Sequence, residues 1–139
     1  MNKDILKYFP EKIKNVIEEN LTDLNLEEIR IRNNKPIILK SSDQEKLIRY
    51  YPNSDEMMTI LQLICENSIY TYQKQIAEGF VTLKGGHRVG ISGSCVVEKG
   101  KVININYIYS LNFRISKDDI IDAELDIYPQ GNFYYRILP

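Results

Sequence analysis

Residues 80–116 read FVTLKGGHRVGISGSCVVEKGKVININYIYSLNFRIS, and the fold turns on this stretch. β-Branched and aromatic residues recur there in short runs, separated by Gly85-Gly86 and Lys99-Gly100, residue types that supply the left-handed backbone of hairpin turns. The pattern predicts strands over 80–83, 87–92, 95–97, 102–106 and 108–115. Four or five strands joined by tight turns form an antiparallel meander.

Working toward the N-terminus, the period changes to that of helices. Ile69, Tyr72 and Ile76 predict a helix over 68–78 that stops at Gly79, the residue favoured just beyond a helix C-terminus. Pro52-Asn53-Ser54-Asp55-Glu56 is a helix start with Ser54 as candidate N-cap, leading into Met57, Ile60, Leu61, Ile64 and Cys65. Earlier still, Glu28-Ile29-Arg30-Ile31-Arg32 alternates polar and apolar, then Asn33-Asn34 and Pro36 to Lys40 complete a hairpin, with a third strand over Lys46 to Tyr51. A short opening segment precedes a helix from Pro10 to about Asn20, since proline suits a first helical turn. Strands, then two helices, then a meander is an α+β order, an antiparallel sheet with helices packed on one face. The β pattern ends near Ser116, which sets an expected domain over 1–117 and an acidic C-terminal stub over 118–139.

The composition narrows function by exclusion. With 43% hydrophobic and 27% charged residues in 139, the chain is of ordinary globular type and long enough for one self-sufficient core. A net charge of -1 leaves no global field for a polyanion, so any such site is local. Charge is uneven, however: Lys84, Arg88, Lys99, Lys101 and Arg114 face the single acid Glu98 in the meander, whereas Asp118, Asp119, Asp122, Glu124 and Asp126 crowd the stub. No apolar run approaches the ~20 residues of a membrane span, and Met1-Asn2-Lys3-Asp4 lacks a secretory pattern, so a cytoplasmic location is expected. Cys65 and Cys95 read as reduced, packed thiols, and one histidine with two separated cysteines predicts no metal site.

Gly85 to Gly90 has the glycine spacing of a phosphate loop, but Ile91 stands where the phosphate-reaching lysine belongs, and strands are predicted on both sides. The reading is a hairpin turn, with glycines that relieve crowding in a twisted sheet. His87, the only imidazole, has no carboxylate among its chain neighbours and is expected to flank the turn and donate to backbone, so no catalytic residue is assigned. Glu27-Glu28 and Asp118-Asp119, adjacent along the chain, suit solvation better than paired acid/base work. Arg30 and Arg32 share one face of a strand, opposite Ile29 and Ile31, while Arg88 and Arg114 lie inside other strands. Either these four form a local anion site or they are solvent-face residues paired with cross-strand acids.

Three segments together resemble a known family: Glu27-Glu28-Ile29-Arg30-Ile31-Arg32 with Pro36, Gly79-Phe80-Val81-Thr82-Leu83-Lys84-Gly85-Gly86-His87-Arg88-Val89-Gly90, and Asn112-Phe113-Arg114-Ile115. They look like the N-terminal domain of stage III sporulation protein AA, a family of sporulation ATPases related to secretion and pilus-retraction ATPases. The resemblance covers roughly residues 5–117 and carries Gly85, Gly86, His87 and Gly90 as motif positions. It implies the fold of a secretion-ATPase N-terminal domain, followed in the family by a RecA-like domain. This chain reaches Pro139 before a Walker A loop, so it is expected to be a truncated piece that does not hydrolyse ATP and holds no cofactor, with ATP and Mg expected only on the missing RecA-like domain.

In the related ATPases, N-terminal-domain arginines approach the γ-phosphate, which makes Arg30, Arg32, Arg88 and Arg114 candidate nucleotide-phosphate or interdomain contacts. The implied function is regulation and assembly of an ATPase that energises the channel between mother cell and forespore. The implied partners are the RecA-like domain, like subunits of a homo-oligomeric ring and other stage III sporulation proteins, without nucleic acid and with at most peripheral membrane association. The implied place is the mother-cell cytoplasm at the forespore membrane. The alternative is a stand-alone interaction or single-stranded nucleic-acid-binding module that uses the basic sheet with Tyr107, Tyr109 and Phe113, although alternation with Ile105 and Ile108 already fits a sheet with one core face.

Overall fold

The computed structural model describes residues 3–21 and 25–116, and the acidic stretch over 118–139 lies outside them. A 3-10 helix over Lys3–Tyr8 leads into α1 (Glu11–Glu19), whose N-cap is Pro10. Then come β1 (Leu26–Arg32), β2 (Ile37–Ser41), β3 (Glu45–Ile48), α2 (Ser54–Ile64), a 3-10 turn over Ile69–Tyr72, α3 (Gln73–Glu78), β4 (Phe80–Thr82), β5 (Arg88–Glu98) and β6 (Lys101–Arg114). All strand pairs are antiparallel, and the sheet order is β3-β2-β1-β6-β5-β4. The expected α+β class, one sheet with helices on one face, is what the chain forms.

The topology depends on β6, which pairs with its neighbour β5 and also with distant β1 in the register Glu28↔Arg114 through Arg32↔Ser110. Alternation then sorts the residues by face. Ile29, Ile31, Ile37, Leu39, Val81, Val89, Leu111 and Phe113 are wholly buried on one side, under Ile13 and Ile17 of α1 and Ile60 and Leu61 of α2. Phe113 is the aromatic centre, its ring 4.7 Å from Phe9 and 6.5 Å from Tyr8. Full burial of each such side chain contributes roughly 1.5–3 kcal/mol.

Several boundaries differ from expectation for identifiable reasons. The N-cap of α2 is Asn53, not Ser54: the Asn53 side chain accepts the Glu56 N–H at 2.8 Å and the Glu56 carboxylate accepts the Asn53 N–H at 3.0 Å. Ser54 Oγ instead accepts from Asn33 Nδ2 at 3.1 Å, tying the β1–β2 turn to the helix. The segment expected as one helix over 68–78 begins as a 3-10 turn, because Ile69, Tyr70, Thr71 and Tyr72 are β-branched or aromatic and poor helix formers. Its end is as expected, with Gly79 left-handed at φ 94°. The third strand stops at Ile48, where the Tyr50 N–H turns back to the Ile48 carbonyl ahead of Pro52.

The meander holds three strands rather than four or five. Register shifts at Ser92/Gly93, Ser94/Cys95 and Val96/Val97 are bulges inside one continuous β5–β6 ribbon. Beyond Gly93 the ribbon carries no neighbouring strand, so Cys95 is exposed rather than packed as expected. Cys65 is buried, and burial pushes its thiol up to about 11. Phe113, one of the three aromatics of the nucleic-acid reading, faces the core, while Tyr107 and Tyr109 meet edge to face with centroids 4.8 Å apart.

Within the glycine-rich segment over 85–93, the glycine that crowding demands is Gly93. A Cβ on Gly93 would lie 2.2 Å from the Tyr107 carbonyl oxygen, whereas one on Gly90 would come no closer than 4.0 Å to the Asn112 oxygen, so Gly90 relieves no crowding. Gly93→Ala is expected to cost about 1–3 kcal/mol of stability by overpacking, and Gly90→Ala to stay within about 0.5 kcal/mol. Urea unfolding of both variants checks the contrast.

Candidate functional site

The side chains that do not enter the core share the opposite face. Cross-strand register lines up Thr82, Arg88, Arg114, Glu28, Lys40 and Glu45 in one row across all six strands. The adjacent row holds Phe80, Gly90, Asn112, Arg30, Ile38 and Leu47, and the next holds Ser92, Ser110 and Arg32. All four sequence-predicted arginines therefore lie on one face within three rows.

Their surroundings divide them. Arg30 Nε donates to Glu28 Oε2 at 2.7 Å, and its Nη1 lies 3.9 Å from Glu45. Glu28, read from sequence as a solvated acid, is in fact buried, because alternation brings it onto the arginine face beneath its neighbours. Burial pushes its carboxyl up, but hydrogen bonds from Arg30 and Asn112, with the charges of Arg30 and Arg114, outweigh this and hold it below the ordinary carboxylate value. The same hydrogen bond and charge raise Arg30. Arg32 donates through Nη2 to the Pro36 carbonyl at 3.0 Å, while its Nε is buried without a partner. Both arginines of β1 are thus largely committed within the domain.

Arg88 and Arg114 are different. They are direct cross-strand partners at the end of the β5–β6 ladder, and both are exposed. Among the described residues no carboxylate lies within ion-pair distance of either. Arg88 stacks its guanidinium 4.3 Å from the centroid of Phe80, its diagonal neighbour, which fixes the fork without neutralising it. Glu28 is opposite Arg114 in register, yet its carboxylate is taken by Arg30. Like charges directly opposed destabilise a sheet by about 0.2–1 kcal/mol. A planar guanidinium fork matches the oxygens of a phosphate or carboxylate.

The glycine-rich segment is not part of that site. Gly85 and Gly86, both at φ 89°, build the β4–β5 turn, with strands on either side and no helix N-terminus. His87 departs from expectation: it is wholly buried, and toward backbone its ring accepts rather than donates, Nδ1 receiving the Ser116 N–H at 2.9 Å. A carboxylate does meet the ring, since Nε2 lies 3.3 Å from Asp4 Oδ1, contributed from 83 positions away. Local spacing offered no signal for that contact, nor for the parts played by Glu28, Asn112 and Phe80. Among the described residues no cluster of three or more histidine, cysteine, aspartate or glutamate side chains could hold a metal ion.

Comparison with known proteins agrees with the motifs. A family model described as "Sporulation stage III, protein AA" matches residues 1–130. The chain is similar to stage III sporulation protein AA of Bacillus subtilis (strain 168), at 34% identity over 123 residues that cover 87% of this chain and 40% of that protein. The chain thus spans about two-fifths of the length of this curated relative.

The depressed carboxyl of Glu28 makes a testable contribution to stability. A lowered folded-state value stabilises fully above the ordinary 4.5 and is lost as pH falls below it. Glu28→Gln is expected to lower stability near neutral pH by about 1.5 kcal/mol or more, the scale of a hydrogen bond to a charged group. It should also flatten the acid decline below the ordinary carboxylate value. Urea unfolding across that pH range reads both effects.

Proposed function

The chain belongs to the Sporulation stage III, protein AA family, and from that premise we propose that its α+β domain is the regulatory and assembly module of a ring-forming sporulation ATPase. The single observation that supports this reading is the exposed Arg88–Arg114 pair, cross-strand neighbours without an ion-pair partner among the described residues, on the face away from the helices. On this reading, ATP and Mg are held by a RecA-like domain in the length of the relative that this chain does not span. The arginine pair meets the γ-phosphate there, within the same subunit or from its neighbour in the ring. Stabilising charge on a transferring phosphoryl group is worth far more in a closed interface than in water. Loss of the γ-phosphate removes the anion that holds the two forks, so hydrolysis shifts this domain against its neighbour.

In this role the 139 residues hydrolyse nothing by themselves and hold no resident cofactor. Their partners are the motor domain, like subunits and other stage III sporulation proteins, on the mother-cell side of the forespore membrane. Among the described residues no helix is long and apolar enough to cross a membrane, which is consistent with a peripheral association.

The test is a hybrid chain in which this domain replaces the matching part of the Bacillus subtilis relative. Arg88→Ala and Arg114→Ala are each expected to lower its ATPase rate roughly tenfold or more, as loss of a phosphate-facing arginine does, with the midpoint of thermal unfolding unchanged or raised. Arg30→Ala should do the reverse, lowering stability through loss of the Glu28 pair. ATPase rates that fall only in step with unfolding would overturn the assignment.

A further inference from the structure

The arginine pair sits where a β-ladder is weakest, at its last rung. Arg88 is the first residue of β5 and Arg114 the last of β6. The two arginines are opposed there by register, and ladder ends fray most readily. Beyond Arg114 the chain is held toward β1 by the Ile115 N–H, which donates to the Glu27 carbonyl at 2.9 Å. Toward β5 it is held by a side chain: the Ser116 N–H donates to His87 Nδ1.

We propose that His87 is the positioning residue of the Arg88–Arg114 pair, its buried imidazole closing the end of the β5–β6 ladder so that the two forks stay in register. The functional consequence rests on the phosphate-facing reading above, whereas the clamp itself rests on geometry alone. His87 immediately precedes Arg88, and Ser116 follows Arg114 by two residues, so the bond joins the two strands just past the charged rung. Because Ser116 N–H can only donate, Nδ1 must present its lone pair and the ring proton sits on Nε2, aimed at the Asp4 carboxylate. That second contact anchors the ring to the N-terminal 3-10 helix. The ring itself is wholly buried, so its two nitrogens are satisfied by these contacts. The backbone carbonyl of His87 also accepts the Leu83 N–H at 2.7 Å, fixing the residue from the β4 side.

The two ring nitrogens are separable by substitution. His87→Asn offers an amide oxygen near the Nδ1 position and keeps the acceptor for Ser116; His87→Gln reaches toward Asp4 and loses it. Ser116→Pro deletes the donor and leaves the ring intact. Amide exchange at Ser116, read by NMR, is expected to accelerate about tenfold in His87→Gln and to stay near wild type in His87→Asn. Calorimetric titration with inorganic tripolyphosphate at low salt should show binding about fivefold weaker in His87→Gln and Ser116→Pro, restored in His87→Asn, all below the unfolding midpoint of each variant. Faster exchange with unchanged tripolyphosphate binding would show a structural bond only and overturn the positioning role. Equal loss in His87→Asn and His87→Gln would do the same, by assigning the effect to Asp4 or to packing. If Arg88→Ala binds tripolyphosphate as tightly as wild type, the phosphate reading of the face fails instead, and the clamp stands or falls on Ser116 exchange.

Discussion

The pairing of β1 with β6 is the constraint on which the rest of the structure depends. It joins the N-terminal hairpin to the C-terminal meander across roughly 80 residues of chain, a closure whose entropy must be offset by what it buries. What it buries is the centre of the core, Ile29 and Ile31 against Leu111 and Phe113. Period-two alternation then dictates the other face without further choice. Once those four point inward, Glu28, Arg30 and Arg32 must stand beside Ser110, Asn112 and Arg114. The site is therefore not added to a finished fold, because the register that closes the core also assembles the arginines.

That assembly leaves charge unbalanced in one place. Among the described residues the face carries a single well-buried acid, Glu28, and geometry commits it to Arg30 at 2.7 Å. Arg32 finds a carbonyl instead of a carboxylate. The remaining pair keeps its charge open to solvent, and a chain of net charge -1 thereby acquires a local cationic spot without a cationic surface. Arg30 and Arg88 are of the same residue type on the same face, but one is held in an ion pair and the other, among the described residues, is not.

The sequence was legible wherever physics is local. Alternation in β1, the left-handed stop at Gly79 and the Lys99-Gly100 turn were all readable, because each depends on residues within a few positions. Sharing of a face by Arg30 and Arg32 was legible for the same reason. Adjacency of Arg88 and Arg114 was not, since it requires the hairpin register, and bulges at Ser92/Gly93 and beyond shift that register without a clear compositional mark. Those bulges also made one long ribbon read as several short strands. Ser54 and Asn53 are both good caps, and the choice between them was settled by Asn33, which reaches Ser54 from 21 positions away. His87 was misread most instructively: its partners Asp4 and Ser116 are both distant in sequence, so nothing near it announced a buried ring.

The position of the open pair at a ladder terminus bears on how it could act. Arg30 already holds an ion pair, so a bound anion could change little around it. Arg88 and Arg114 are opposed in register at the last rung, and under the proposed function a phosphate would meet both there. The chain continues from this same end of β6 through Ser116, so any change in the rung is felt first where the domain leads onward. A site placed in the middle of the sheet could bind the same anion, but it would lack that mechanical connection.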